Sequence, residues 1–331
     1  MSAPRRAPAL AAWALAATLP ATLPAETVRL TSEVLGETAT IEIAGLPAER
    51  AEPAARAAWV ELARTEADAL ALADAFRRAA GGPVRPDAAA FAMLAKADSF
   101  CRWSDGAVGA LGGRVFRAWG PPGGPSAGRP APGALADAVA SARCDRLSFD
   151  RAAGTVTAAS TSELDLAPFA PGWAVDRAAA VLVAAGIESF RIGVGSVARG
   201  AGPGPDGKGW RVEFPPLGAA GEHLEGFFLR DRAAGVLVAG DRPLEIAGDR
   251  MPRWLDLRDG LARDGVQAVA AVTDLALDAQ ALAWALWALG PRAGQMSLGQ
   301  LRPEPAALWA LGSGDSPPIL VVAHWSSVPK R

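Results

Sequence analysis

The chain alternates between short strand-period runs and long helical stretches. Ala39, Ile41 and Ile43 interleave with Thr38, Thr40 and Glu42, which predicts a first strand. Pro53 suits a helix first turn, and a helical pattern runs from there to about Ala80, closed by Gly81-Gly82. Trp59, Leu62, Ala63, Leu70, Ala73 and Phe76 fall broadly on one face of it, as core. Pro86-Asp87 starts a second helix carrying Phe91 and Leu94, which ends at Ser104-Asp105-Gly106. Leu147–Phe149 and Thr155–Thr157 flank a turn and predict a hairpin.

The middle of the chain is read as loop, helix and strand. Pro168 and Pro171 make Asp165–Gly172 a loop, and Gly172 permits a sharp turn or close approach to a ligand. A helix follows from Trp173 to Ala185, with Gly186 as its left-handed cap. Phe190, Ile192 and Val194 then alternate as a strand, and Arg199–Gly209 is read as loop. Further strands are predicted at Trp210–Phe214, Val236–Ala239 and Val269–Thr273. Asp278 is placed as the cap of a last helix that ends at Gly290-Pro291.

At 331 residues, 50% hydrophobic and 21% charged, the sequence is that of a globular protein with a sizeable core. A net charge of −2 gives no electrostatic footprint for nucleic acid. Residues 1–25 have the layout of a secretory signal: Arg5 and Arg6, an apolar run over Ala7–Leu19, and Ala25 at the cleavage point. Pro20 and Pro24 interrupt that run, so no stable membrane span is expected after cleavage. The mature chain, residues 26–331, is expected outside the cytoplasm, in the periplasm. There Cys101 and Cys144 form one disulfide or remain two small buried apolar residues; the sequence leaves both open.

Other chemistries fit poorly. Gly193-Val194-Gly195 follows a strand, but the third glycine of a dinucleotide fingerprint is misplaced and no helix follows. Cys101, Cys144, His223 and His324 have no zinc-ligand spacing. Neither histidine sits near a nucleophile motif. The eleven tryptophans read mostly as core. Asp176 either favours its helix dipole or faces a ligand. Asp256, Arg258 and Asp259 can form a turn network with no ligand.

The stretch Asp165-Leu166 through Ala170-Pro171-Gly172, the helix opening Ala174-Val175-Asp176, and the turn Val194-Gly195-Ser196 resemble the core of the FAD:protein FMN transferases, the ApbE family. Residues 104–120 resemble a further family stretch through Ser104, Gly106, Gly113 and Trp119-Gly120, with Gly109 and Leu111 at its aspartate and threonine positions. Gly36 and Thr38 stand where the family opens its first strand beside the flavin. Gly240-Asp241 and Asp256, Arg258 and Gly260 match two more motifs, with Arg253 at a histidine position. On the last helix the family's metal aspartate and threonine fall at Gln280 and Trp284.

The resemblance implies an α+β fold of mixed and antiparallel sheets flanked by helices. It also implies two lobes about a central cleft, with the Gly/Pro-rich loop of residues 120–133 between elements. It implies FAD as ligand and substrate, a flavoprotein acceptor or respiratory-complex subunit as partner, and Gly36, Thr38, Gly172, Asp176, Gly195, Gly240, Asp241, Arg258 and Gly260 as cofactor-binding residues. The family uses magnesium, whose hard-oxygen preference neither Gln280 nor Trp284 meets with a carboxylate. The expectation is therefore a transferase with impaired activity, or a non-catalytic flavin- or partner-binding protein on the same scaffold.

Overall fold

A computed structural model of the chain describes residues 27–120, 128–217, 221–246, 248–312 and 317–329. The proposed signal segment and the centre of the loop at 120–133 lie outside them. The N-terminal half holds β1 (Thr27–Val34), β2 (Glu37–Ala44), α1 (Ala48–Ala79), β3 (Pro83–Val84), α2 (Ala88–Trp103), α3 (Gly113–Trp119) and α4 (Pro132–Ser141). Next come β4 (Leu147–Asp150), β5 (Thr155–Ala158), α5 (Ala170–Ala184), β6 (Phe190–Val194), β7 (Val197–Ala201) and β8 (Trp210–Val212). The rest holds β9 (Phe227–Leu229), β10 (Arg232–Val238), β11 (Leu244–Ile246), β12 (Asp249–Met251), β13 (Leu255–Asp256), β14 (Leu261–Ala262), β15 (Val266–Thr273), α6 (Ala276–Leu298), β16 (Ala306–Leu311) and β17 (Ile319–Ala323).

The α+β expectation holds. Eight strands form one sheet in the order β1-β2-β6-β7-β10-β15-β16-β17, with every neighbouring pair antiparallel. α1, α5 and α6 cover one face. Ile41, Ile43, Ile192 and Val194 meet Leu62, Ala178 and Leu182 there, all fully buried. Each of these isoleucine, leucine and valine side chains contributes roughly 1.5–3 kcal/mol on burial. The other face is partly covered by Trp210, Phe227 and Trp325. A tryptophan-rich core of Trp254, Trp284, Trp287 and Trp309 fills the space around α6. These four tryptophans are core, as the sequence reading has it.

Several boundaries differ from the sequence reading. α1 begins five residues before Pro53, because Pro47 already sets the entry angle and Ala48–Glu52 favour helix. Pro53 therefore lies inside the helix. Leu70 is exposed, since the buried stripe runs Leu62, Thr65, Ala69, Leu72, Phe76. α2 begins after Asp87, whose carboxylate accepts the Ala90 N–H at 2.7 Å, an ordinary N-cap. α5 begins at Ala170, so Pro171 sits in its first turn, where the missing donor has no partner to lose. β7 occupies Val197–Ala201, so the first three residues of the Arg199–Gly209 stretch, read as loop from its glycines and prolines, are strand instead. α6 begins at Ala276 without a cap from Asp278 and kinks at Gly290 (φ 67°), then continues to Leu298. α3 and α4, short and glycine-bearing, are additions to the sequence reading. Cys101 of α2 and Cys144 are joined as a disulfide, with Cα atoms 5.8 Å apart.

Candidate functional site

The N-termini of α5 and α6 are held against each other. Gly172 is where they touch: a Cβ there would lie 2.6 Å from the Ala276 carbonyl oxygen and the Leu277 Cα. Its glycine is thus required by helix–helix approach, and the turn expected there is absent. Asp176, one turn on, accepts the Ala276 N–H on Oδ1 and the Leu277 N–H on Oδ2, both at 3.0 Å. Arg199 Nη1 also donates to Oδ1, at 2.8 Å. Burial raises this carboxyl from its ordinary value, against those three donors. Asp176 thus supplies the cap that the start of α6 lacks in its own sequence.

Beside this junction lies a cavity of about 280 Å³. The loop Leu164–Ala167 and Pro171 form one wall, Trp254, Gln280 and Trp284 another, and Glu37, Ser196 and Arg253 its rim. A second cavity of about 550 Å³ opens on the sheet side and shares Glu37 and Ser196 with the first. Thr38, Gly195, Gly240 and Asp241 line this second cavity. Gly36 stands in the β1–β2 turn (φ 67°) and its carbonyl accepts Arg242 Nη1 at 3.0 Å. The structure therefore gathers Gly36, Thr38, Gly195, Gly240 and Asp241 into one region.

Arg258 and Gly260 are elsewhere. Asp256 is fully buried, and Arg258 donates to it from its backbone N–H at 2.9 Å, from Nε at 3.0 and 3.1 Å and from Nη2 at 2.6 Å. Arg263 adds another ion pair. Gly260 (φ 74°) packs on Leu135, and its carbonyl accepts Trp119 Nε1 at 2.7 Å. Arg258 lines a separate hollow beside the disulfide.

An ion network sits where the two cavities meet. Arg253 reaches Glu37 at 3.3 Å and Asp241 at 2.6 Å, and Arg242 also pairs with Glu37. The Arg253 guanidinium stacks over Trp254, 4.2 Å from its ring centre, an arrangement favourable for a partly desolvated cation. Burial lowers Arg253 from its ordinary value, with Asp241 opposing. Burial and the charge of Arg253 lower Arg242. Both remain cationic.

Gln280, 3% exposed, joins the two ends of the loop. Its Oε1 accepts the Gly172 N–H at 2.7 Å and its Nε2 donates to the Ala167 carbonyl at 3.1 Å. A carboxylate could not make the second bond. Trp284 packs edge-on to Phe116 and Trp254, with ring centres 5.7 and 5.0 Å away. At the two positions that the resemblance assigns to magnesium, the donor set is thus one engaged neutral amide and one indole. These residues do not fit that ion. Among the described residues no three of His, Cys, Asp and Glu cluster as a metal-holding group.

Asp165 lines the first cavity and accepts the Ala167 N–H at 2.9 Å. Burial raises its carboxyl, with that N–H opposing. For an acid raised on folding, the ionised form burdens the folded state. The penalty begins near the unfolded value of 3.8, grows with pH until the folded carboxyl ionises, and is constant above. Asp165→Asn is therefore expected to raise the urea midpoint at pH 7 relative to wild type, with the gap closing below about pH 4. A gap unchanged down to pH 3 contradicts this.

Glu37, Asp165, Arg242 and Trp254 were not picked out as site residues by the sequence. Glu37 directly follows Gly36 and Arg242 directly follows Asp241, but adjacency alone did not single them out. In the sequence Arg253 stands out only as a replacement for histidine.

Residues 35–309 match the ApbE family. No curated protein matches. Among solved structures the chain is similar to flavin transferase ApbE from Vibrio cholerae, with a TM-score of 0.77 and 19% identity over 91% of this chain and 98% of that one. It is similar to Pseudomonas stutzeri flavinyl transferase ApbE in its apo form, with a TM-score of 0.74 and 21% identity over 92% and 96% of the two chains. It is also similar to an ApbE protein from Thermotoga maritima, with a TM-score of 0.78 and 18% identity over 90% and 97%. These likenesses show a shared fold.

Proposed function

Since the chain belongs to the ApbE family, we propose that it is a flavin-nucleotide-binding protein of the FAD:protein FMN transferase type whose transfer step is strongly impaired. In the family reaction a threonine oxygen of a flavoprotein acceptor forms a bond to the flavin-side phosphorus of FAD. The bond from that phosphorus to AMP breaks, and the hydroxyl proton is released. Such a displacement depends on positioning and on neutralising the diphosphate.

This chain's residues support the binding half. Trp254 and Trp284 offer apolar walls for an aromatic ring, and the adjoining cavity with Thr38, Gly195 and Gly240 extends the space for a nucleotide. The observation that carries the impaired half is Gln280, whose amide is spent on Ala167 and Gly172. Beside it, Trp284 has no oxygen to offer a cation. The acceptor is a flavoprotein or respiratory subunit in the same compartment. With residues 1–25 as a secretory signal, that compartment is the periplasm. No helix among the described residues is long and apolar enough to cross a membrane.

The second reading, a partner-binding protein that has given up flavin, is separated by one titration. FAD added to the protein is expected to quench tryptophan fluorescence through Trp254 and Trp284, with the same midpoint in magnesium and in EDTA. A midpoint that sharpens only with magnesium overturns the impaired reading. An absence of quenching favours the partner-binding protein.

A further inference from the structure

Each of the two helices that meet beside the first cavity lacks a cap in its own sequence. Phe169 precedes α5 and Leu275 precedes α6, and neither has a side chain that can accept an N–H. The missing caps are exchanged across the junction. Asp176 of α5 accepts the first two N–H groups of α6, and Gln280 of α6 accepts the Gly172 N–H in the first turn of α5. In that turn the Ala170 N–H goes to the Leu166 carbonyl, Pro171 has none, and Trp173 bonds to the Phe169 carbonyl. Gly172 is thus the donor that the turn leaves to a distant residue.

Gln280 does a second job with its other end. Its Nε2 donates to the Ala167 carbonyl, in the loop that walls the cavity. The Gly172 N–H can only donate and the Ala167 carbonyl can only accept, so one orientation of the amide serves both. The bridge stands on a fixed base. α6 presses on Gly172 on one side. On the other it presses on Gly235 of β10, where a Cβ would lie 2.6 Å from the Ala279 carbonyl oxygen. A buried amide bonded at both ends on such a helix holds the loop at a set distance from α6.

A divalent ion bound by oxygens of both elements would join loop and helix in the same way, but Gln280 and Trp284 do not fit one. We infer that Gln280 is a positioning residue that takes the place of such an ion: its amide fixes the Leu164–Pro171 wall of the cavity in its ligand-ready shape with no metal bound. The inference rests on the flavin-handling reading above for the ligand, and on geometry alone for the bridge.

The test is hydrogen exchange of the ligand-free protein, read on the amides from Leu164 to Trp173. In the wild type their protection is expected to be the same in EDTA and in magnesium. In Gln280→Glu at about pH 8, the ionised carboxylate still accepts the Gly172 N–H but leaves the Ala167 carbonyl without a donor. Exchange there, corrected for the intrinsic rate, is expected to be about tenfold faster than in the wild type. Near pH 5 the substituted carboxyl, raised by burial, regains a proton and with it a donor, so protection is expected to return. Asp165, Glu37 and Arg253 around the cavity, Asp176 and Arg199 at the junction and Asp278 on α6 are common to both proteins. The difference between the two pH profiles therefore isolates position 280. Riboflavin, which has no phosphate, is expected to bind the variant more weakly in EDTA at about pH 8 and to regain wild-type affinity near pH 5. Thermal unfolding checks that the variant is folded, and the comparison of EDTA with magnesium needs no variant. Wild-type protection that appears only with magnesium, or equal exchange in the two proteins at about pH 8, overturns the inference. A loop that loosens while riboflavin affinity stays constant overturns the positioning role. Failure of the wild type to bind riboflavin overturns the flavin reading alone, because the exchange measurement needs no ligand.

Discussion

Covalent FMN transfer to a threonine-bearing acceptor, with FAD and magnesium in excess, is expected to run about a thousandfold or more below that of a family member with carboxylate metal ligands. A bound cation contributes several kcal/mol of charge stabilisation to such a displacement. A loss of about 4 kcal/mol corresponds to roughly a thousandfold in rate. Here the amide of Gln280 brings no charge and is bonded at both ends. Trp284 fills its position with an indole packed between Phe116 and Trp254. Gln280→Asp alone is expected not to restore transfer. The indole remains, and the Ala167 carbonyl loses its donor. The readout is flavin fluorescence retained by the acceptor after denaturing electrophoresis. A wild-type rate within tenfold of the carboxylate-bearing relative contradicts the prediction.

Replacing both cysteines, Cys101→Ser with Cys144→Ser, is expected to destabilise the protein by about 4 kcal/mol. Their separation of 43 residues closes a loop that the unfolded chain must otherwise leave free. The chain-entropy estimate for a loop of that size falls between about 3 and 4.7 kcal/mol. The link joins the last turn of α2 to the segment just before β4. It also supports the neighbouring turn, where a Cβ on Gly109 would come within 3.0 Å of Cys101 Sγ. Urea unfolding of the oxidised wild type against the double variant measures the effect. An unchanged midpoint contradicts it.

The fold was legible where the signal was local. The alternation of Phe190, Ile192 and Val194 is β6, Gly186 takes the left-handed conformation after α5, and Asp87 caps α2. Local rules failed where a distant contact decides. Pro171 looks like a helix breaker, yet it stands in a first turn whose position is set by packing against α6. Gly172 reads as a turn residue, yet it is small because the Ala276 backbone lies against it. Asp176 reads equally as a dipole partner or a ligand, and two of its three donors are N–H groups 100 and 101 residues away.

The candidate site was legible through the family's motifs, in part. The glycines and Asp241 that open the sheet-side cavity were found in this way. Arg258 and Gly260 matched a motif equally well, but in this chain they hold the turn around buried Asp256. The ion network was hidden because Glu37 and Arg253 lie 216 residues apart, and no pattern in the sequence pairs them. Asp165 opens a matched motif, but the rise of its carboxyl comes from its enclosure, which the string of letters does not show.

The proposed flavin cleft is expected to have no anchorage for a divalent cation. Manganese(II) takes the same oxygen-rich octahedral sites as magnesium, and the free ion is read by electron paramagnetic resonance. Titrated into protein saturated with FAD, manganese is expected to be taken up only as far as the same concentration of FAD alone takes it up. One tightly held ion per chain beyond that level would contradict the account.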